Sequence, residues 1–413
     1  MTNSLAKAGA TGIPAPTLDR HRLYAAAFLR ALATGLVGVL IGVHLARLGF
    51  DEGRIGIVVA VGLAGAALAA LLVTFAGDQL GRRRALVTVT ALGAVGGAIL
   101  AASDPFPAIV GAAFLGMVNG MGRDRGAALV LDQVILSSSV PDAERTATFA
   151  RYNVLQDAGH ALGALLAGAP VLLRRVSPLG EIASLRATLL FYAALLCATA
   201  VLYRGLSPSA EAPLLRERTR VSPESRRILW KICALFALDS LAGGFLTTAL
   251  LSLFFFERFG VSEAVVGMLF FGARLANAAS HMAAAWLARR FGLVNTMVFT
   301  HIPSSFLLVT VVFAPSFGVA AALFLLREGL VEMDVPTRQS LVMALVRPEE
   351  RTLASGVTHL VRLGAWAVAP GFAGFLMAGS SLATPVFIGA GMKILYDGLL
   401  YSSMRLHRPP EER

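Results

Sequence analysis

Apolar runs of about 20 residues recur from one end of this chain to the other, each long enough to cross the hydrocarbon core of a bilayer as a helix. No other feature constrains the fold as much. They fall near 23–46, 54–76, 85–102, 107–136, 153–173, 187–203, 229–256, 265–288, 293–313, 317–342, 353–377 and 385–404. The short alternating segments of a membrane β-barrel are absent. Of the 413 residues, 56% are hydrophobic and only 15% charged, and the mean hydropathy is +0.71. Most of the surface of such a chain cannot face water. The pattern predicts an all-α membrane protein of twelve transmembrane helices. The fourth run is too long for one crossing and predicts a helix that projects beyond the bilayer.

The stretch Gly77-Asp78-Gln79-Leu80-Gly81-Arg82-Arg83-Arg84 joins the second and third runs. Three arginines in so short a turn place it on the cytoplasmic face. Counting from there puts both termini in the cytoplasm. Arg174 and Arg175 fall outside under this topology, which a statistical rule tolerates. The formal charge of +11 is then a basic cytoplasmic face rather than a nucleic-acid surface. Residues 204–228 are polar, with Pro208, Pro213, Pro223 and a run of arginines. They divide the chain into a bundle over 1–203, a cytoplasmic linker, and a bundle over 229–413.

The two parts repeat. Arg47-Leu-Gly-Phe-Asp-Glu52-Gly-Arg-Ile-Gly56 pairs with Arg258-Phe-Gly-Val-Ser-Glu263-Ala-Val-Val-Gly267. At the same offset Gly81 falls on Gly292. Gln133 through Thr146 then matches Gln339 through Thr352 without a gap. Six spans per copy give both copies one orientation. Parallel repeats of this kind hold their cargo between the halves near the midplane.

On these residues the chain resembles the major facilitator superfamily over essentially its whole length. That family carries Gly-x-x-x-Asp-Arg/Lys-x-Gly-Arg/Lys-Arg/Lys after the second span. Asp78, Gly81, Arg82 and Arg83 match it, while Thr74 and Gln79 depart. The resemblance implies that Asp78 caps a helix of the opposite half. It also implies that the arginines pair with an acid at the inner end of the fourth span, where Asp132 stands. Asn119-Gly120-Met121-Gly122 is similar to a drug-exporter pattern, with Gly116 in place of its arginine. Gly159-His-Ala-Leu-Gly163 matches part of the glycine–proline pattern of the fifth span, and Ala369-Pro370-Gly371-Phe-Ala-Gly374 repeats it in the eleventh. The drug and metabolite exporters are therefore the nearest branch.

An ionised side chain deep in a bilayer costs at least about 2.5–3.5 kcal/mol, so it faces a partner or a wet cavity. Arg274, Asn277 and His281 form a polar stripe on the eighth span. With Arg327 and Asn119 they are the candidate substrate contacts. Glu328 and Asp239 are the candidate proton carriers, since burial raises a carboxylate's proton affinity. Arg327 and Glu328 are adjacent and project about 100° apart, which predicts separate partners. Lys393 and Asp397, four apart, are expected to neutralise each other. Arg30 is expected to snorkel to the headgroups. His160 reads as a packing residue, and Arg123-Asp124-Arg125 as a salt-bridge cluster at the inner mouth.

Gly62/Gly65 and Gly93/Gly96/Gly97 permit close helix contact. No phosphate-binding loop, zinc-ligand spacing or catalytic set occurs, so no cofactor and no enzyme activity are expected. Cys197 and Cys233 lie in apolar runs, and no cleavable leader is evident. The expected protein is a secondary transporter of a small organic molecule, exporting it in exchange for protons. Its setting is the bacterial inner membrane, as a monomer whose partners are lipid, solute and protons. Uptake of an anionic metabolite, motivated by Arg274 and Arg327, is the alternative, and a non-transporting sensor is a third.

Overall fold

The computed structural model describes residues 15–140, 142–211, 222–347 and 350–404. The expected N-terminal tail and the middle of the linker lie outside them. All regular structure among the described residues is helical. The N-terminal bundle holds α1 (Ala15–Arg47), α2 (Glu52–Leu80), α3 (Arg82–Ala102), α4 (Phe106–Leu115), α5 (Ala127–Ser138), α6 (Asp142–Leu166), α7 (Ala169–Val176) and α8 (Glu181–Arg204). The C-terminal bundle holds α9 (Pro223–Phe245), α10 (Thr248–Phe259), α11 (Glu263–Phe291), α12 (Leu293–Val312), α13 (Phe317–Val331), α14 (Asp334–Leu345), α15 (Arg351–Gly379) and α16 (Thr384–Met404).

Four of the twelve crossings are broken into pairs: α4–α5, α6–α7, α9–α10 and α13–α14. The expected single projecting helix over 107–136 is therefore wrong. The chain unwinds between Leu115 and Ala127, where Met117 and Gly122 take left-handed conformations (φ 51° and 66°). Run length does not reveal such a break, because the partners that stabilise it come from the other half. Among the described residues, seven segments are long and apolar enough to span a membrane, the α9–α10 pair counted as one of them. Leu72, Phe75, Trp230, Phe372 and Phe375 stand more than half exposed on the outside, as a lipid-facing surface requires.

The repeat shows in the backbone. Gly49 and Gly260 both have positive φ (85° and 63°), as do Gly81 and Gly292 (85° and 88°). These turns need glycine because a Cβ disfavours that region. Small residues also set the packing. A Cβ at Gly62 or Gly65 would lie 2.3 or 2.2 Å from carbonyl oxygens of Val118 and Phe114, so α2 lies against α4 and the break that follows it. A Cβ at Gly96 would meet the Gly116 backbone at 2.4 Å, which joins α3 to the same break.

The halves touch most intimately at the end that carries the turns after α1 and α10. There Gly56 of α2 faces the Pro370 carbonyl and Gly374 of α15, and Gly267 of α11 faces the Ala164 carbonyl of α6. Arg174 and Glu263 form an ion pair across the halves at 3.1 Å. At the other end of α15, Glu350 accepts a 2.6 Å hydrogen bond from the Ser222 amide before α9. Hydrogen bonds from the Ser225 side chain and the Ser222 backbone hold its carboxyl below the usual range.

Candidate functional site

The unwound segment between α4 and α5 lies at the contact with the other half. Unpaired backbone groups at that depth need partners. The Gly120 carbonyl accepts from the Ala249 amide at 3.0 Å, just past the break between α9 and α10. The Met121 carbonyl accepts from Thr248 Oγ1 at 2.8 Å, and the Gly122 carbonyl from Arg274 at 3.1 Å. Two helix breaks, one per half, thus satisfy each other. Asn119 serves the same segment: its Nδ2 donates to the Arg123 carbonyl (2.6 Å) and its Oδ1 accepts from the Met121 amide (2.9 Å). Both ends of its amide are thus engaged within the loop. Asn119→Ala leaves both groups unsatisfied. A loss of about 1–3 kcal/mol in unfolding free energy in detergent is expected. A neutral result would show that water replaces the amide.

Arg123, Asp124 and Arg125 diverge instead of forming one cluster at a mouth. Asp124 turns into the N-terminal half, where Arg30 meets it at 2.7 Å and Asp132 also at 2.7 Å. Tyr152 and Tyr203 each donate to Asp132 at 3.0 Å. Arg30, Asp132, Tyr152 and Tyr203 are all buried. Arg30 therefore anchors a buried network and does not snorkel, because two carboxylates lie nearer than any headgroup. His160 accepts the Asp124 amide proton at 2.8 Å, a packing role.

Asp132 is thereby taken by Arg30, not by the arginines of the turn before α3. That turn is tied within its own half: the Arg83 amide donates to Glu211 at 3.1 Å and its guanidinium to the Leu206 carbonyl at 3.2 Å. A carboxylate at the N-terminus of α3 is stabilised by the helix dipole. Gly81 faces the same Glu211, and Arg82 is buried. The side chain of Asp78 lies outside the described residues.

Arg123 reaches into the C-terminal half, to Asn277 Oδ1 (2.8 Å) and Glu332 (3.1 Å). His281 lies 3.8 Å from the same Glu332. Asn277 Nδ2 donates to the Glu328 carboxylate at 2.8 Å and to its carbonyl at 2.9 Å. Arg327 also pairs with Glu328, against the expectation of separate partners. The backbone positions do diverge, but both side chains are long enough to fold back toward the same buried space. The polar stripe of α11 thus meets Arg327–Glu328 of α13 in one continuous chain.

Asp239 of α9 sits among cations. Lys393 lies at 2.9 Å, Arg338 at 3.2 Å and Arg362 at 3.9 Å. Three cations thus hold the Asp239 carboxylate in this arrangement. Lys393 does not pair with Asp397. His301 stands between them, 3.3 Å from Lys393 and 3.0 Å from Asp397. The helical spacing of that pair is favourable, but Asp239 on the neighbouring helix offers a shielded partner.

These groups surround a cavity of about 120 Å³ between the halves. A single water needs only about 10–15 Å³ on such a measure, so the cavity has room for a small solute. Arg123, Arg125, Arg274, Arg327, Arg338, Arg362 and Lys393 line it, against Asp239, Glu328, Glu332 and Asp334. The lining carries three more positive charges than negative ones. Of the sequence-predicted contacts, Arg274 and Arg327 reach the wall, while Asn277 and His281 stand behind it. Arg123 and Arg125, expected only as a salt-bridge cluster at the inner mouth, stand in the wall. Arg338, Arg362, Glu332, His301 and Trp366 were missed. Their one signal was an ionic or aromatic residue inside an apolar run. Among the described residues no group of three metal-ligating side chains occurs.

A family model described as Major Facilitator Superfamily matches residues 23–370. An uncharacterized membrane protein of Saccharomyces cerevisiae, YJR124C, is 26% identical, covering 92% of this chain and 93% of that protein. Among solved structures, the nucleoside transporter NupG superposes with a TM-score of 0.72 at 16% identity, covering 94% of this chain and 100% of that one. The D-xylose-proton symporter gives 0.70 at 14% identity, covering 95% and 98%. The human organic anion transporter MFSD10 gives 0.61 at 18% identity, covering 94% and 100%.

Proposed function

The chain belongs to the Major Facilitator Superfamily, and on that premise we propose that it moves a small organic anion through the central cavity by alternating access, with protons as the coupling ion. The multi-pass helical fold, shared with transporters of nucleosides, sugars and organic anions, supports secondary transport as the activity. One observation carries the anion: seven cations face four carboxylates around the cavity. Buried cations in excess of their acids are costly unless an anion joins them.

Glu328 is the proposed proton carrier. It lines the cavity, its partners are Arg327 and the neutral Asn277, and a proton can replace one of those hydrogen bonds. In proteoliposomes, organic-anion flux is expected to depend on an imposed pH gradient, and Glu328→Gln is expected to abolish that dependence while anion exchange persists. Unchanged pH dependence in the variant would refute the role. Counterflow under both gradient polarities distinguishes export by antiport from uptake by symport. Failure of every anion to move, with movement of cations or neutral lipophiles, would refute the anion assignment in favour of multidrug-type export.

A further inference from the structure

Most cations around the cavity have an acid of their own. Arg123 has Glu332, Arg327 has Glu328, and Arg338 has Asp334 and Asp239. Arg125 does not. Among the described residues, no carboxylate lies within 4 Å of its guanidinium and no hydrogen-bond acceptor receives it. Its one close partner is the ring of Trp366, with the guanidinium carbon 4.4 Å from the centroid. Arg362 lies over the same ring at 4.6 Å. Its Nε donates to Ser240 Oγ at 3.1 Å, and the one carboxylate within 4 Å of it among the described residues, Asp239 at 3.9 Å, already holds Lys393 and Arg338.

We infer that Arg125 and Arg362, both set against Trp366, form the seat for a carboxylate of the solute, one guanidinium from each half of the molecule. The inference rests on the reading of the cavity as the transport route. Both guanidinium carbons lie within 5 Å of one ring centroid, so they are no more than about 9 Å apart. A carboxylate between them can accept from both, since its two oxygens offer about four acceptor sites. The indole face attracts each cation by about 0.5–2 kcal/mol, but it carries no net charge to offset their repulsion. An anion does. Beyond the carboxylate, Phe270, Phe324 and Leu251 line the cavity with apolar surface, which fits an aryl or alkyl body.

The origin of the two arginines matters for mechanism. Arg125 precedes α5 in the N-terminal half, and Arg362 lies on α15 in the C-terminal half. With the seat empty, the two cations oppose closure. With a carboxylate present, the same pair draws the halves together. Solute binding then has a differential affinity for the closed state, which is what coupling of binding to conformational change requires.

Trp366 is its own reporter. The chain has three tryptophans, and Trp230 and Trp286 are more than half exposed on the outside. In W230F/W286F protein, iodide, an anionic quencher, is expected to quench Trp366 saturably, whereas neutral acrylamide quenches it weakly and linearly. Benzoate is expected to displace iodide, and benzamide is not. Arg125→Gln and Arg362→Gln are each expected to weaken the benzoate effect about tenfold, the loss of one charge-assisted hydrogen bond. Acrylamide quenching should not change. Should a glutamine variant fail to fold, the lysine variant, which keeps the charge and loses the fork, is expected to bind iodide but to compete poorly with benzoate. Linear iodide quenching in the parent, equal action of benzamide and benzoate, or variants that behave like the parent would overturn the seat. Benzoate flux in proteoliposomes separates the two readings. Competition at Trp366 without flux of any competing carboxylate refutes transport and leaves the seat. Flux with unaltered quenching refutes the seat alone.

Discussion

Arg30→Ala is expected to destabilise the protein by about 3–5 kcal/mol, the range for a buried ion pair that loses one partner. Arg30 is the shared cation of Asp124 and Asp132, and Asp132 has no exposed surface at all. Tyr152 and Tyr203 would still donate to Asp132, but two phenols cannot neutralise a carboxylate. Thermal unfolding in detergent, read against parent protein, checks the size of the effect. Arg30→Ala combined with Asp132→Asn is expected to regain a large part of the loss, since the second change removes the stranded charge. Arg30→Lys should fall between, because an ammonium cannot present the guanidinium's fork to two acids. A single-variant loss near 1 kcal/mol, typical of an ordinary substitution, would show that water or another cation reaches Asp132.

Gly374→Val is expected to reduce transport to about a tenth or less while leaving the fold intact. A Cβ at Gly374 would lie 2.3 Å from the Glu52 carbonyl oxygen and 2.7 Å from Gly56 Cα. Both obstacles are backbone, so no rotamer change relieves them. The reciprocal contact is as tight, with a Cβ at Gly56 only 2.5 Å from the Pro370 carbonyl oxygen. These residues lie on α2 and α15, in opposite halves. The core of each half is untouched, so the variant should be recovered folded, with its halves held apart at this end. A bias of about 1.4 kcal/mol against the closed state already changes its relative population tenfold. Distances between spin labels at Arg54 and Ser381, placed in a cysteine-free background, should lengthen in the variant. Normal transport with unchanged distances would mean that the glycines serve packing alone. Gly374→Ala should show the same sign with a smaller effect.

Much of the fold was legible because its rules are local. Gly49, Gly81, Gly260 and Gly292 could be paired from spacing, and all four have positive φ, since a turn that needs that region admits few other residues. The small-residue stripes could be read as close helix contacts for the same reason. The break between α4 and α5 escaped. Its four glycines and the polar Asn119, Arg123, Asp124 and Arg125 are compatible with a helix or a break, and what permits unwinding is the presence of Ala249, Thr248 and Arg274 from the other half.

The candidate site was legible as a set of residue types and not as a set of pairs. Deep charges were recognisable from their position in apolar runs. Their partners were not, because sequence spacing ranks only neighbours on the same helix. Lys393 illustrates this. Asp397 is one turn away, yet the lysine goes to Asp239, about 150 residues distant in sequence and 2.9 Å distant in space. Arg327 and Glu328 err in the opposite direction: side-chain reach overcame the angle between their Cα–Cβ bonds.

By itself, then, the amino-acid sequence determined the solvent, the helical class, the twofold repeat and the presence of buried charge. Each of these follows from composition and short-range periodicity, which a bilayer reads directly. Only the tertiary structure decided which helices break, which charges are compensated, and that Arg125 and Arg362 from different halves share one indole. Those outcomes depend on distances between segments far apart in the chain. In a low-dielectric interior, a shift of a few ångströms decides whether a charge is paired or must wait for a ligand.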